Sequence, residues 1–224
     1  MPLLDTAAAR RHMVESQLTP NQVHDRAVIA AMAAVPREAF VGESLRAVAY
    51  LDEDLALSAD RYLLEPMVLG RLIQEAAPRP GDRALVVGCG TGYGAAILAR
   101  LGLSVVALEC DPDLVAAARA NLAPLGDGRV EVVAGALAEG RAQAAPFDVI
   151  LLAAAVEQVP DALLAQLAGD GRLVTVLRPG AGIGKAMLME RAGETFSRRI
   201  LFDAATPRLP ARIPGFSLAA GFVF

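Results

Sequence analysis

Ala84-Leu85-Val86-Val87-Gly88-Cys89-Gly90-Thr91-Gly92-Tyr93-Gly94 is an apolar run that breaks into alternating glycines, and Ala95-Ala96-Ile97-Leu98-Ala99-Arg100 continues it with helix formers. The pattern predicts a strand, a tight loop and a helix. Side chains in such a loop would keep a ligand away from the backbone, and the free amides of the helix start favour an anionic or hydroxyl-rich group. A nucleoside cofactor is the first ligand class to consider.

Two glycine codes compete here. A dinucleotide-binding turn is written G-x-G-x-x-G or G-x-G-x-x-A, whereas the loop of S-adenosylmethionine-dependent methyltransferases is G-x-G-x-G directly after the strand. Gly88, Gly90 and Gly92 fit the second code, and Gly90, Gly92 and Ala95 fit the first in a frame shifted by two residues. Glu109 closes the next apolar run, Ser104 to Glu109, about where a carboxylate reaches both ribose hydroxyls of a nucleoside. Either cofactor would use that residue, so it points to a nucleoside without choosing between the two.

Outward from the loop, strand and helix signals alternate. Helical periodicity covers Ala7 to Leu18 and Asp25 to Val35, with Pro36-Arg37-Glu38-Ala39-Phe40 as a turn. Tyr50 to Glu65 is irregular and polar, Pro66 opens a helix to about Ala76, and Pro78-Arg79-Pro80-Gly81-Asp82 leads into the first strand. Asp111-Pro112 is an N-cap with proline at the first helical position, worth about 1 kcal/mol, for a helix from Pro112 to Leu122. Strands follow at Val130 to Ala134, Asp148 to Ala154 and Arg172 to Leu177, with a helix at Asp161 to Leu167. Continuously apolar strands separated by helices predict a parallel sheet covered on both faces, with ligands at the carboxyl ends of the strands. Ala186 to Arg191 and Ser197 to Phe202 flank Ala192-Gly193-Glu194 and predict a terminal hairpin. The expected division is a single domain over 1–224, with a helical and lid region at 1–78 and a cofactor-binding α/β core at 79–224.

Composition narrows the functional classes. The net charge of -4 provides no basic field for nucleic acid. The long apolar stretches, Ala27 to Val35 and Val149 to Val156, have nine and eight residues and fall well short of a membrane span. Met-Pro-Leu-Leu-Asp-Thr at the start lacks a signal-peptide pattern, so a cytoplasmic location is expected. Cys89 and Cys110 form neither a disulfide framework nor a metal-ligand spacing; if the first two strands are neighbours, both thiols would line one pocket rim and make the cofactor site sensitive to oxidation. Asp52-Glu53-Asp54 has no spaced partner and reads as a solvated turn, so no metal is expected. His12 and His24 fall at predicted helix termini, away from any nucleophile pattern.

Several further stretches occur together with the glycine loop: Met13-Val14-Glu15-Ser16-Gln17-Leu18, Val35-Pro36-Arg37-Glu38-Ala39-Phe40-Val41, Ala49-Tyr50, Pro80-Gly81-Asp82-Arg83, Tyr93, and Ala145-Pro146-Phe147-Asp148-Val149-Ile150. In this order they resemble the protein-L-isoaspartate O-methyltransferase family, whose members use S-adenosylmethionine to methylate the abnormal carboxylate of isoaspartyl residues in protein repair. The resemblance implies a Rossmann-like α/β methyltransferase sheet, mostly parallel, of seven strands with a C-terminal antiparallel hairpin, preceded by N-terminal helices. It implies S-adenosylmethionine as cofactor and a protein or peptide carboxylate as acceptor. Gly88, Cys89, Gly90, Thr91, Gly92, Glu109, Cys110, Gly135 and Ala136 are the implied cofactor-binding residues.

Three departures from the family pattern stand out. The family's Thr-Ile-Ser-Gln-Pro, whose hydroxyl residues contact the substrate, aligns with Tyr62-Leu63-Leu64-Glu65-Pro66, which leaves Tyr62 and Glu65 as substrate-loop candidates and no assigned catalytic residue. The acidic residue two positions before the first loop glycine is Val86, and the Gly-Asp pair after the third strand is Gly135-Ala136. Each lost charge-assisted hydrogen bond to a cofactor would remove about 1.5–3 kcal/mol. Two other readings therefore stand beside the methyltransferase: a catalytically silent relative that senses a cofactor or binds a protein, and a nicotinamide-dependent oxidoreductase resting on the shifted glycine frame.

Overall fold

The apolar runs assemble into one twisted seven-stranded sheet. A computed structural model describes residues 5–125 and 128–218, so Met1 to Leu4 of the signal-peptide reading lie outside the described residues. The strands are β3 (Arg83–Val87), β4 (Ser104–Glu109), β5 (Val130–Ala134), β6 (Phe147–Val156), β7 (Leu167–Leu177), β8 (Gly184–Ala192) and β9 (Thr195–Ala204). The first five run parallel, and β8 is antiparallel to both β7 and β9, as the hairpin reading required. From β3 the chain moves outward through β4 and β5, then returns to lay β6 on the other side of β3. This reversal opens a crevice at the carboxyl ends of β3 and β6, the place where open α/β sheets bind ligands.

Alternation along β3 divides the core between the two faces. Ala84 and Val86 pack with Met13, Leu18, Met32, Leu69 and Leu72 beneath the N-terminal helices, while Leu85 and Val87 pack with Leu108, Ile150, Leu152 and Leu173 on the opposite face. Val86 is thus a core residue, and an acidic side chain there would enter an apolar cluster. The helices that cover the sheet are α1 (Thr6–Met13), α2 (Arg26–Ala34), α3 (Pro66–Glu75), α4 (Tyr93–Arg100), α5 (Pro112–Leu122) and α6 (Asp161–Leu164). Asp25 caps α2 by accepting from the amides of Ala27 and Val28, and Asp111 caps α5 by accepting from Asp113 and Leu114.

Several boundaries differ from the sequence reading. The first helix ends at Met13 and continues as a wider π-type turn over Val14–Leu18. The helix expected to Leu167 stops at Leu164, because Leu167 already pairs with Phe147 as the start of β7. The expected strand at Asp148 to Ala154 extends to Val156, and its pairing with β7 shifts between Leu151 and Ala155. Within the segment read as irregular, β1 (Leu55–Ala56) and β2 (Tyr62–Leu63) form a small antiparallel hairpin. The backbone of this hairpin closes where the Arg61 carbonyl accepts from the amides of Leu57 and Ser58. Its base is held by Arg37, a fully buried residue whose guanidinium donates to the carbonyls of Ala49 and Leu64. Among the described residues no helix is long and apolar enough to cross a membrane.

Candidate cofactor and acceptor site

The glycine loop has the conformation that its sequence demands. Gly88, Gly90 and Gly92 take φ values of +68°, +57° and +102°, which residues with a Cβ rarely adopt. The amides of Gly88 and Cys89 donate to the carbonyl of Leu108, joining the end of β3 to β4, and the Gly92 amide donates to Cys89. Thr91 donates its hydroxyl to the Phe40 carbonyl at 2.6 Å, so this side chain fastens the loop to the N-terminal region. Cys89 is buried and Cys110 is exposed. Burial, reinforced by the Glu109 charge, pushes the Cys89 thiol up to about 12 and raises that of Cys110. The shared rim of two thiols is therefore corrected: Cys89 is packed inside, and neither group has the low pKa of a reactive thiol.

Glu109 lies at the carboxyl end of β4, beside the loop, as its position in the sequence predicts. It is fully buried, and its carboxylate is already occupied. Oε1 accepts from Arg61 Nη1 at 2.6 Å and from the amides of Cys110 and Asp111; Oε2 accepts from Arg61 Nη2 at 2.7 Å and from the Gly90 amide at 2.8 Å. Arg61 is only 4% exposed, and the bidentate pair is buried. Burial on its own lowers the Arg61 guanidinium, but the hydrogen bonds and charge of Glu109 outweigh it and the net shift is upward. Sequence reasoning missed Arg61, which sits in a polar stretch 48 residues away from its partner. Its only local signal was a cation inside a segment that must cover a nucleoside crevice.

The hairpin lies over the glycine loop as a lid. A Cβ on Gly90 would come within 2.7 Å of Leu57 Cδ1, and one on Gly88 within 3.2 Å of Arg61 Nη2. The lid also divides the crevice. On the α5 side, Leu57 and Ser58 face Thr91, Asp111 and Asn121 across a cavity of about 440 Å³. On the β6 side, Asp60, Arg61 and Tyr62 face Ala153, Ala154 and Thr206 across a cavity of about 10 Å³. Gly135 and Ala136 follow β5 and are exposed, with the Gly135 amide donating to the Glu109 carbonyl.

Of the two substrate-loop candidates, Tyr62 lines the small cavity. Glu65 precedes α3, where its amide donates to Asp54 Oδ1. Its carboxyl is pushed up to about 7, mainly by burial and then by the neighbouring Asp54 and Asp52. Asp54 is therefore more than part of a solvated turn, although among the described residues no group of three or more His, Cys, Asp or Glu could hold a metal. His12 and His24 are both exposed, at the end of α1 and before α2.

Comparison with known proteins agrees with this architecture. The family model described as Protein-L-isoaspartate(D-aspartate) O-methyltransferase (PCMT) matches residues 8–203. The protein-L-isoaspartate O-methyltransferase of Methylorubrum extorquens (strain PA1) is 44% identical over 198 residues, covering 88% of this chain and 86% of that protein. The enzyme of the same name from Methylorubrum populi is 43% identical over 194 residues, covering 87% and 91%. A solved protein-L-isoaspartate O-methyltransferase superposes with a TM-score of 0.80 at 23% identity, over 91% of this chain and 67% of that one. A putative protein-L-isoaspartate O-methyltransferase from Plasmodium falciparum, solved in complex with S-adenosyl-L-homocysteine, gives 0.75 at 21% identity, over 90% and 98%. At those identities the two structures bear on the fold alone.

Proposed function

The chain belongs to the protein-L-isoaspartate O-methyltransferase family, and from that premise we propose that it methylates isoaspartyl carboxylates of proteins or peptides at the crevice between β3, β4 and β6. The observation that carries this reading is the juxtaposition of three positive-φ glycines with the Glu109 carboxylate, hydrogen-bonded to the Gly90 amide at 2.8 Å. That cradle fits a nucleoside cofactor once the lid moves aside, because only the side chains of Leu57 and Arg61 stand in front of Gly90 and Gly88 and neither glycine carries a Cβ to block the backbone. Family membership selects the G-x-G-x-G frame over the dinucleotide frame and favours an enzyme over a catalytically silent relative.

The residues proposed to hold S-adenosylmethionine are Gly88, Cys89, Gly90, Thr91 and Gly92 in the loop, Glu109 and Cys110 at the end of β4, and Gly135 and Ala136 after β5. Thr91 and Cys89 contribute through their backbone, since the Thr91 hydroxyl is committed to Phe40 and the Cys89 side chain is packed inside. Glu109 is the group for the ribose hydroxyls, with Arg61 displaced from it. When bound, the cofactor supplies an electrophilic methyl group on a sulfonium. The acceptor carboxylate is ionised near neutral pH, so the protein needs no general base. Its task is to align acceptor and methyl group and to exclude water, which falls to the lid with Leu57, Tyr62 and the α3 start at Glu65.

We place the reaction in the cytoplasm, with no nucleic acid or membrane partner, and treat 1–224 as one functional unit. Calorimetric titration with S-adenosylhomocysteine, followed by transfer of labelled methyl groups to an isoaspartyl peptide and to its aspartyl counterpart, tests the reading. Micromolar binding and labelling of the isoaspartyl peptide alone are expected. Binding without labelling of either peptide removes the acceptor assignment, and no binding at millimolar ligand removes the cofactor site.

A further inference from the structure

Arg61 stands on the boundary between two spaces. On one side it faces Glu109 and Gly88; on the other it lines the small cavity at the carboxyl end of β6, with Tyr62, Ala153, Ala154 and Thr206. The register shift between Leu151 and Ala155 lies at this end of β6, and irregularities of that kind re-aim a strand next to active sites. Across from it, the segment after β9 is pinned to Ala155 through Pro207 and Leu209. Thr206 is 2% exposed, and its hydroxyl has no partner among the described residues. The other charges around the cavity are already paired, Asp60 with Arg212 and Arg208 with Glu157. The cavity has room for about one water, so an anion enters only as the lid opens, and it would then meet Arg61 beside the buried, unused Thr206 hydroxyl.

Glu109 cannot serve a nucleoside and Arg61 together. A carboxylate offers about four lone-pair sites, and Glu109 already accepts from five N–H groups, two of them from Arg61. Ribose hydroxyls therefore displace the guanidinium. A guanidinium left under the lid without an anion is strongly unfavourable, so it must find a second carboxylate or leave for solvent. The acceptor of a carboxyl methyltransferase is such a carboxylate.

We propose that Arg61 is the acceptor-binding residue of this enzyme, paired with Glu109 while the cofactor site is empty and turned toward Thr206 by cofactor binding, where it holds the acceptor carboxylate. This rests on the isoaspartyl methyltransferase reading and deepens it. One acceptor oxygen stays on the guanidinium while the other forms the new O–CH3 bond; the S–CH3 bond breaks with its electron pair passing to sulfur. The acceptor changes from singly negative to a neutral ester, the sulfonium becomes a neutral thioether, and no proton is transferred. The ester no longer attracts Arg61, which returns to Glu109 as the nucleoside leaves. Cofactor binds before acceptor, and the replaced loop hydroxyls of the family are functionally substituted by a charge.

Calorimetry with S-adenosylhomocysteine and an isoaspartyl peptide tests the assignment without turnover. Wild-type protein is expected to bind the peptide only when S-adenosylhomocysteine is present. Arg61→Gln removes the competitor for Glu109 and should bind S-adenosylhomocysteine about tenfold more tightly, while its peptide affinity falls about tenfold or more, a change of about 1.4 kcal/mol per decade, with Arg61→Lys in between. A folded Arg61→Gln variant with unchanged peptide affinity overturns the assignment, as does peptide binding to wild type that is indifferent to S-adenosylhomocysteine. Hydrogen exchange at the amides of Leu57 and Ser58, measured on wild type alone, should accelerate on adding S-adenosylhomocysteine; unchanged exchange overturns the displacement even if the variant does not fold. Failure of wild type to methylate the peptide while it binds S-adenosylhomocysteine overturns the acceptor reading instead.

Discussion

Gly90 combines a φ of +57° with the near contact of Leu57, so Gly90→Val should do two separate kinds of damage. A β-branched residue in the left-handed region costs about 1–2 kcal/mol, and its side chain occupies the space in front of the loop. The expected outcome is a folded protein, checked by circular dichroism, with S-adenosylhomocysteine binding lost in calorimetry; retained affinity in a folded variant would move the site elsewhere. Glu109→Gln acts differently, because it leaves the Arg61 guanidinium buried without an anion. Loss of one partner of a buried pair costs about 3–5 kcal/mol, and urea denaturation should show a shift of that order. A change below 1 kcal/mol would mean that Arg61 escapes to solvent at little cost. Glu109 was legible in the sequence because a strand ending in a carboxylate has a fixed place in this fold. Arg61 was not, since neither hydrophobic period nor spacing marks a cation that folds back over 48 residues.

The elements that were read correctly are those in which local chemistry and packing agree. Pro66 and Pro112 open α3 and α5, and Asp111 caps α5 as its residue type suggests. The misread elements carry conflicting signals. β7 contains Gly169 and Gly171, and a Cβ on Gly171 would meet the Phe147 carbonyl and the Ala168 amide nitrogen at 2.8 Å. Close backbone approach requires the glycine, and the glycine hides the strand. The apparent helix Asp161 to Leu167 is cut short by that pairing, with Gln166 tied to the carbonyls of Glu139 and Ala162. β1 and β2, two residues each, are too short for any periodicity. The end of β5 offers a constructive test at this scale. Ala136 is exposed and begins a short 3₁₀ turn, so Ala136→Asp adds a carboxylate without burying it. If adenine lies along Gly135 and Ala136, the new acceptor should tighten S-adenosylhomocysteine binding about tenfold. No gain in calorimetry would mean that the base is held by another route.

At the scale of the whole molecule, the lid and α3 are joined to the N-terminal region through an unusual charge arrangement. Arg37 is fully buried, and burial lowers its guanidinium even though Tyr93 and Asp54 work against that shift. Around it Asp52, Asp54 and Glu65 are all raised, each mainly by burial, and Glu65 reaches about 7. For an acid whose folded pKa lies above its unfolded value, the folded state holds more protons in the interval between the two. Stability from Glu65 is therefore complete below its ordinary value of 4.5 and is lost as pH rises from there to about 7. Above that pH the group is ionised in both states, and the loss is constant. Glu65→Gln should remove this pH dependence: the melting temperature of the variant relative to wild type should climb between pH 4.5 and 7 and level off above. Parallel curves for the two proteins across that interval would show that Glu65 is ionised under the lid at neutral pH, and that the acidic cluster is solvated as its sequence alone suggests.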